Sequence, residues 1–180
     1  PADPVSEATT VPRGSSRPAT WLARLGFEDG ARALSLAQSA PLAGLIDLED
    51  DVTGLLRALA YTPEPNQALL GTLRLLEAID ALAHARDASA ASDPTGPVAL
   101  RAVLDHHSLE RDRLLAVLGS SSALGDHLAR QPRHWVSAAF AQPLSGVERS
   151  ARLVAAVGAQ ERGEHTAADA LRIAYREQLL

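Results

Sequence analysis

In 180 residues of net charge -5, with no cysteine, methionine or lysine, there is room for one domain with a buried core. There is no means of building a disulfide, a zinc finger or a thiol nucleophile. The 17 basic residues are all arginines scattered among 22 acids, which argues against the basic face that nucleic acid needs.

Alanine (35) and leucine (29) outnumber valine (10) and isoleucine (3), with two each of Phe, Trp and Tyr. Helix formers therefore dominate and strand formers are scarce, so an all-α fold is expected. Arginine in place of lysine, with so much alanine, reads as the mark of a GC-rich genome. No apolar run approaches the ~20 residues that span a bilayer, and a cytoplasmic protein without membrane contact is expected.

In chain order, residues 1–19 carry Pro1, Pro4, Pro12 and Pro18 among small polar residues. They lack the apolar core of a secretory signal and the apolar surface to offset ordering entropy, which predicts a disordered tail. Thr20 fits the N-cap of a short turn over 21–25 that stops at Gly26. Glu28 and Asp29 suit a helix N-terminus, opening a helix to about Ser39 with Leu34 and Ala37 inward. Leu55, Leu56 and Leu59 share a face after the acidic cluster of Asp47 and Glu49 to Asp51. Asn66 offers a cap for the longest helix, 67–86, striped by Leu69, Leu70, Leu73, Leu76, Ile79 and Ala83.

Residues 89–97 read as a linker, with Pro97 suited to a first helical turn. Ser108 is expected to cap 109–118, with Gly119 as its stop, and 120–122 to cap a helix ending near Pro132. A short helix over 134–140 and a helical hairpin, 147–162 and 165 onward, complete the chain. The sum is an irregular multi-helix bundle of about nine short helices without a fixed repeat. It divides into sub-bundles over 20–88 and 98–180.

Candidate chemistry is thin. Residues 119–125, Gly-Ser-Ser-Ser-Ala-Leu-Gly, have the small residues of a phosphate loop. They lack the Gly-Lys-Ser/Thr ending and the feeding strand, and no acid stands in 130–134 where a nucleotidyltransferase would place a carboxylate pair. Helix stop followed by helix cap is the better account. His127 and His134 are seven apart across Pro132, and Glu161 and His165 flank Gly163. Neither pair has the one-face geometry of His-Glu-x-x-His. The acids at 47–51 suit a solvated helix N-terminus better than Mg²⁺, and no nucleophile elbow surrounds any serine. Arg172 and Arg176 share a face beside Tyr175 and could present two forks to an oxyanion, although a solvated arginine face is favoured.

Residues 114–135, Leu-Leu-Ala-Val-Leu-Gly-Ser-Ser-Ser-Ala-Leu-Gly-Asp-His-Leu-Ala-Arg-Gln-Pro-Arg-His-Trp, resemble the N-terminal helical region of the glutamine synthetase adenylyltransferase/deadenylyltransferase family. The shared pattern is an apolar helix, Gly-Ser, then a helix ending in Arg-x-Pro and an aromatic. Residues 168–180 are similar to the same family's Leu-Arg-x-x-Tyr-Arg-x-x-Leu-Leu stretch. Residues 21–29, Trp-Leu-Ala-Arg-Leu-Gly-Phe-Glu-Asp, are similar to the openings of its actinobacterial members. Gly30 departs from the pattern, standing where a helix-starting proline is expected.

The resemblance implies a large parent enzyme that transfers AMP from ATP to a tyrosine of glutamine synthetase and, in its other half, removes it with phosphate. Mg²⁺ and ATP serve that parent, glutamine synthetase is its partner, and a PII-type signalling protein sets the balance. The Gly-Ser turn and paired carboxylates that hold Mg²⁺ at the phosphate are expected beyond Leu180, where the final helical pattern runs on without a cap. No catalytic, cofactor-binding or metal residue is therefore expected in this stretch, and no bound cofactor. The alternatives are a stand-alone helical protein-interaction or sensor module and, less favoured, a helix-turn-helix regulator.

Overall fold

The computed structural model describes residues 16–46, 48, 54–85, 93–140, 145–158 and 166–180, and places eleven α-helices, one 3-10 turn and no strand among them. The all-α expectation holds. In order the helices are α1 (Ser16–Arg24), α2 (Gly30–Ala37), α3 (Ala40–Ala43), α4 (Leu55–Ala60), α5 (Pro65–His84) and α6 (Pro97–Asp105). There follow α7 (Leu109–Ser120), α8 (Ser122–Arg130), the 3-10 turn (Pro132–His134), α9 (Trp135–Phe140), α10 (Gly146–Gly158) and α11 (Ala167–Leu179).

The centre is α5, whose 20 residues bury Ala68, Leu69, Thr72, Leu73, Leu75, Leu76 and Ile79. Such a wide buried arc lets α5 serve α2, α3, α4, α6, α7 and α8 at once. Thr72 tolerates this site because its hydroxyl donates to Ala68 O at 2.8 Å, satisfying a polar group that burial would otherwise penalise. Helix α5 starts at Pro65 rather than behind an Asn66 cap. Glu64 occupies the cap position without a side-chain bond, because the fixed φ of proline already suits N1 and removes a donor that would need capping.

Helix α7 crosses α5 closely. A Cβ on Gly119 would lie 2.6 Å from Thr62 Cβ, and one on Gly71 would lie 3.2 Å from Leu118 Cδ2. Gln67 Nε2 donates to Leu118 O at 3.0 Å across the same crossing. Gly119 is therefore not the helix stop that the sequence suggests. The helix passes through it to Ser120, and the glycine is there to admit the α4–α5 turn. The expected serine caps are present, Ser108 Oγ accepting from Arg111 N at 3.2 Å and Ser121 Oγ from Leu124 N at 3.3 Å.

At the other end, α1 begins at Ser16, four residues before the expected Thr20 cap, so 16–19 are helical rather than tail. Residues 1–15 of the expected tail lie outside the described residues. Gly26, at φ 108, closes α1 as expected. Phe27 N donates to Leu22 O at 3.2 Å and Gly26 N to Ala23 O at 3.2 Å, the two bonds of a glycine-terminated Schellman motif. Gly30 then explains its own departure from the family pattern. A Cβ there would sit 2.0 Å from Ala19 O, so α1 and α2 meet backbone to backbone where no side chain fits.

One apolar core runs from Leu22 to Ala139 and draws on both sides of the expected 89–97 break. The last residues of that break form a clasp. Asp93 Oδ1 accepts from Thr95 N at 2.9 Å, Arg133 Nη2 donates to Asp93 Oδ2 at 2.8 Å, and buried Trp135 donates its Nε1–H to Thr95 O at 2.9 Å. Asp80 and Arg101 add a two-pronged ion pair between α5 and α6, at 2.9 and 2.7 Å. The bond to Asp80 raises the arginine's pKa above its ordinary value.

Candidate functional site

The part of the molecule least used by its own core is the hairpin of α10 and α11. No described residue of α10 is buried, and in α11 only Ala170 is. Yet Val147 and Val154, seven apart, and Leu171, Tyr175 and Leu179, at four-residue steps, are exposed. These spacings put each set along one helix face. Tyr175 is 55% exposed and Val154 73%, whereas the body, although it exposes Tyr61, Val98, Leu109 and Phe140, buries most of its leucines.

The hairpin is held at its base. Gln178 Nε2 donates to Arg149 O at 3.0 Å between the two helices, and Ser137 Oγ donates to Glu177 Oε1 at 3.2 Å from α9. Its start is secured by a capping box, in which Ser145 N donates to Glu148 Oε2 at 2.8 Å and Glu148 N to Ser145 Oγ at 3.2 Å. The Ser145 hydroxyl, which donates to Glu148 Oε2 at 2.7 Å, and then the Ser145 N–H hold the Glu148 carboxyl below its ordinary pKa. Where the hairpin meets α7 and α9 lies a groove of ≈ 700 Å³. Val136, Phe140 and Leu179 form apolar parts of its wall, Arg113, Arg149 and Arg152 the basic ones, and Glu177 an acidic one. An apolar surface with a basic margin suits a polypeptide that brings apolar and acidic side chains.

The residues singled out in the sequence fall elsewhere or apart. Arg172 Nη1 donates to Asp169 Oδ1 at 2.7 Å, an exposed pair within α11, so it does not join Arg176 as a second fork. Arg176 lies instead on the side of His127, whose protonated form it disfavours. Residues 119–125 hold the end of α7, at Ser120 rather than at Gly119, and the Ser121 cap of α8, with no strand among the described residues. Asp47, Glu49, Asp50, Asp51, Glu161 and His165 lie outside the described residues.

Sequence reasoning did not foresee the His127–His134 pair. The 3-10 turn after Pro132 folds His134 back, so that its Nδ1 lies 3.0 Å from His127 Nε2, with the rings tilted by 50°. Burial, then the neighbouring His134 and Arg176, lower the His127 pKa to about 4. Within one pair of neutral imidazoles, one ring must donate and the other accept. No cluster of three or more His, Asp or Glu able to hold a metal occurs among the described residues. No helix among them is long and apolar enough to cross a membrane.

This geometry is that of a helical body with one apolar core and a terminal hairpin that exposes apolar side chains. Comparison with known proteins then places it. Over 176 residues, 95% of this chain, it is 40% identical to the bifunctional glutamine synthetase adenylyltransferase/adenylyl-removing enzyme of Streptomyces avermitilis. Over 166 residues, 89% of the chain, it is 39% identical to the enzyme of that name from Streptomyces coelicolor, and over 113 residues, 62%, it is 42% identical to that of Mycobacterium avium. The chain is thus a relative of one stretch of these actinobacterial enzymes, as its motifs implied. It spans 15%, 14% and 10% of their respective lengths. No protein-family model matches the chain, and no solved structure matches it.

Proposed function

We propose that this chain is the N-terminal helical segment of a cytoplasmic enzyme that adenylylates and deadenylylates glutamine synthetase, and that it scaffolds or docks the deadenylylating half. The carrying observation is a match along 95% of the chain that occupies only 15% of the relative. A match along nearly the whole chain to so small a share of the relative supports reading the chain as one part of such an enzyme. The chemistry, with its ATP and Mg²⁺, belongs to the remainder of the parent. The exposed face of α10 and α11, with the groove beside it, is the surface through which the segment meets that remainder. Glutamine synthetase is the parent's substrate, and a PII-type signalling protein its regulator.

Reading the gene past the codon for Leu180 tests this directly. The expected result is an open frame that runs into a Gly-Ser turn followed by an Asp-x-Asp pair. A stop codon within a few residues would overturn the reading in favour of a free-standing helical interaction module. On the protein side, the isolated chain is expected to release no AMP from adenylylated glutamine synthetase in the presence of phosphate, whereas the parent does. Release by the isolated chain would overturn the assignment of the chemistry.

A further inference from the structure

Away from the hairpin, between the α4–α5 turn and the first turns of α7, lies a cavity of ≈ 320 Å³. Its wall includes Arg57, Tyr61, Thr62, His107, Arg111 and Asp112. Arg111 is the anomaly. It sits in the first turn of α7 and is 3% exposed, although a guanidinium does not give up its charge at any ordinary pH. Buried arginines are expected to be paired on most of their donors. Here Nε–H donates to Asp112 Oδ1 at 3.4 Å, a long contact to a carboxylate whose side chain is 50% exposed. The four N–H donors on Nη1 and Nη2 have no protein partner among the described residues.

Two more cationic or protonatable groups stand in the same wall. Arg57 and His107 are both exposed, and neither makes a side-chain hydrogen bond or ion pair with a described residue. Solvent reaching Arg111 could meet its hydrogen-bonding needs, but the one carboxylate beside it, half-exposed Asp112, stands 3.4 Å away on the Nε edge and compensates the buried charge only in part. An oxyanion meets both needs, because the parallel N–H pair of a guanidinium matches two oxygens of a carboxylate or phosphate. Asp112 engages the Nε edge and leaves the terminal nitrogens for the ligand. The volume lies at the lower end of small-molecule sites, which favours a compact metabolite over a macromolecular partner.

We propose that this cavity binds a small-molecule oxyanion, a phosphate or carboxylate group, with Arg111 as its buried anchor and Arg57 and His107 as the outer contacts. The two sources share one chemistry, and two probes separate them. Melting of the full chain is followed during titration with inorganic phosphate, with malonate, and with sodium chloride at matched ionic strength. The expected result is a saturable rise in melting temperature with phosphate, malonate or both, beyond that given by chloride. Arg111→Ala is expected to fold poorly, so the deciding variant is the exposed pair Arg57→Gln with His107→Gln. That double variant is expected to melt as the parent chain does without ligand, and to weaken the apparent affinity about tenfold. Saturation by phosphate alone identifies a phosphate site, and by malonate alone a carboxylate site. The proposal is overturned if neither anion acts beyond chloride, or if the double variant binds as tightly as the original.

Discussion

The body around α5 and the α10–α11 hairpin are made of the same residues, mostly alanine, leucine and arginine, yet spend them in opposite ways. In α5, seven residues are buried, and Leu69 and Leu76 are wholly enclosed. In α10, leucine and valine are available, but Val147 and Val154 face outward at 80% and 73% exposure. Helix propensity is alike in the two regions, so propensity did not decide the outcome. What separates them is whether a second apolar face was present to receive the first, which is the general source of helical stability in proteins. The body is held by a shared apolar core, whereas the hairpin packs along one side and leaves apolar side chains exposed on the other.

The sharpest way to break this comparison is at Leu76. With its side chain wholly buried at the α5 centre, Leu76→Ala is expected to cost about 2–5 kcal/mol in chemical denaturation. Unchanged stability would mean that α5 is not the core helix.

Next comes pH. His127 titrates at about 4 when folded, against an ordinary value of 6.5. Its pKa is depressed, so the unfolded chain binds the extra proton first. Stability from the neutral ring is then complete above about pH 6.5 and lost as pH falls toward 4. The loss is expected to reach up to about 3 kcal/mol. His127→Gln removes the titrating ring, so comparing urea midpoints at pH 7 and pH 4.5 for both proteins isolates this share. Equal losses would show that the pair carries no linkage.

Smaller again is Gly119→Ala. The added methyl meets Thr62 Cβ at 2.6 Å and Oγ1 at 2.7 Å, and moving the α4–α5 turn aside is expected to cost about 1–3 kcal/mol. A neutral result would show that the crossing of α5 and α7 yields easily.

The smallest effect is expected in the hairpin, and it sharpens the contrast. Val154→Ser should change the stability of this chain by less than about 0.5 kcal/mol. Under the proposed docking role, it should weaken protection of α10 and α11 amides against hydrogen exchange in the longer protein. A large loss of stability in the isolated chain would show that Val154 already has its partner.

Much of the architecture was legible because helices announce themselves locally. The α5 stripe, the serines at 108 and 121, Pro97 and the Gly26 stop all act within one or two turns, and they occupy the expected places. The misreadings share a cause. Gly119 has the look of a stop, and its real role is set by Thr62, 57 positions away in the chain. Thr20 has the look of a cap, but α1 takes in the preceding turn because its face packs on α2. Pairing of His127 with His134 depended on the 3-10 turn that Pro132 imposes, a local signal whose geometric result is not written in spacing alone. The buried state of Arg111 left no trace in the sequence, where it reads as one of many arginines on a solvated helix.

The clasp made by Asp93, Thr95, Arg133 and Trp135 joins positions 40 apart, on a core to which both sides of residues 86–92 contribute. All four clasp residues lie on the C-terminal side, and the two sides are joined instead by that core, the Asp80–Arg101 ion pair and the Gln67–Leu118 bond. A chain nicked between the two sides is therefore expected to run as a single particle on a sizing column, held by the shared core rather than by the peptide link.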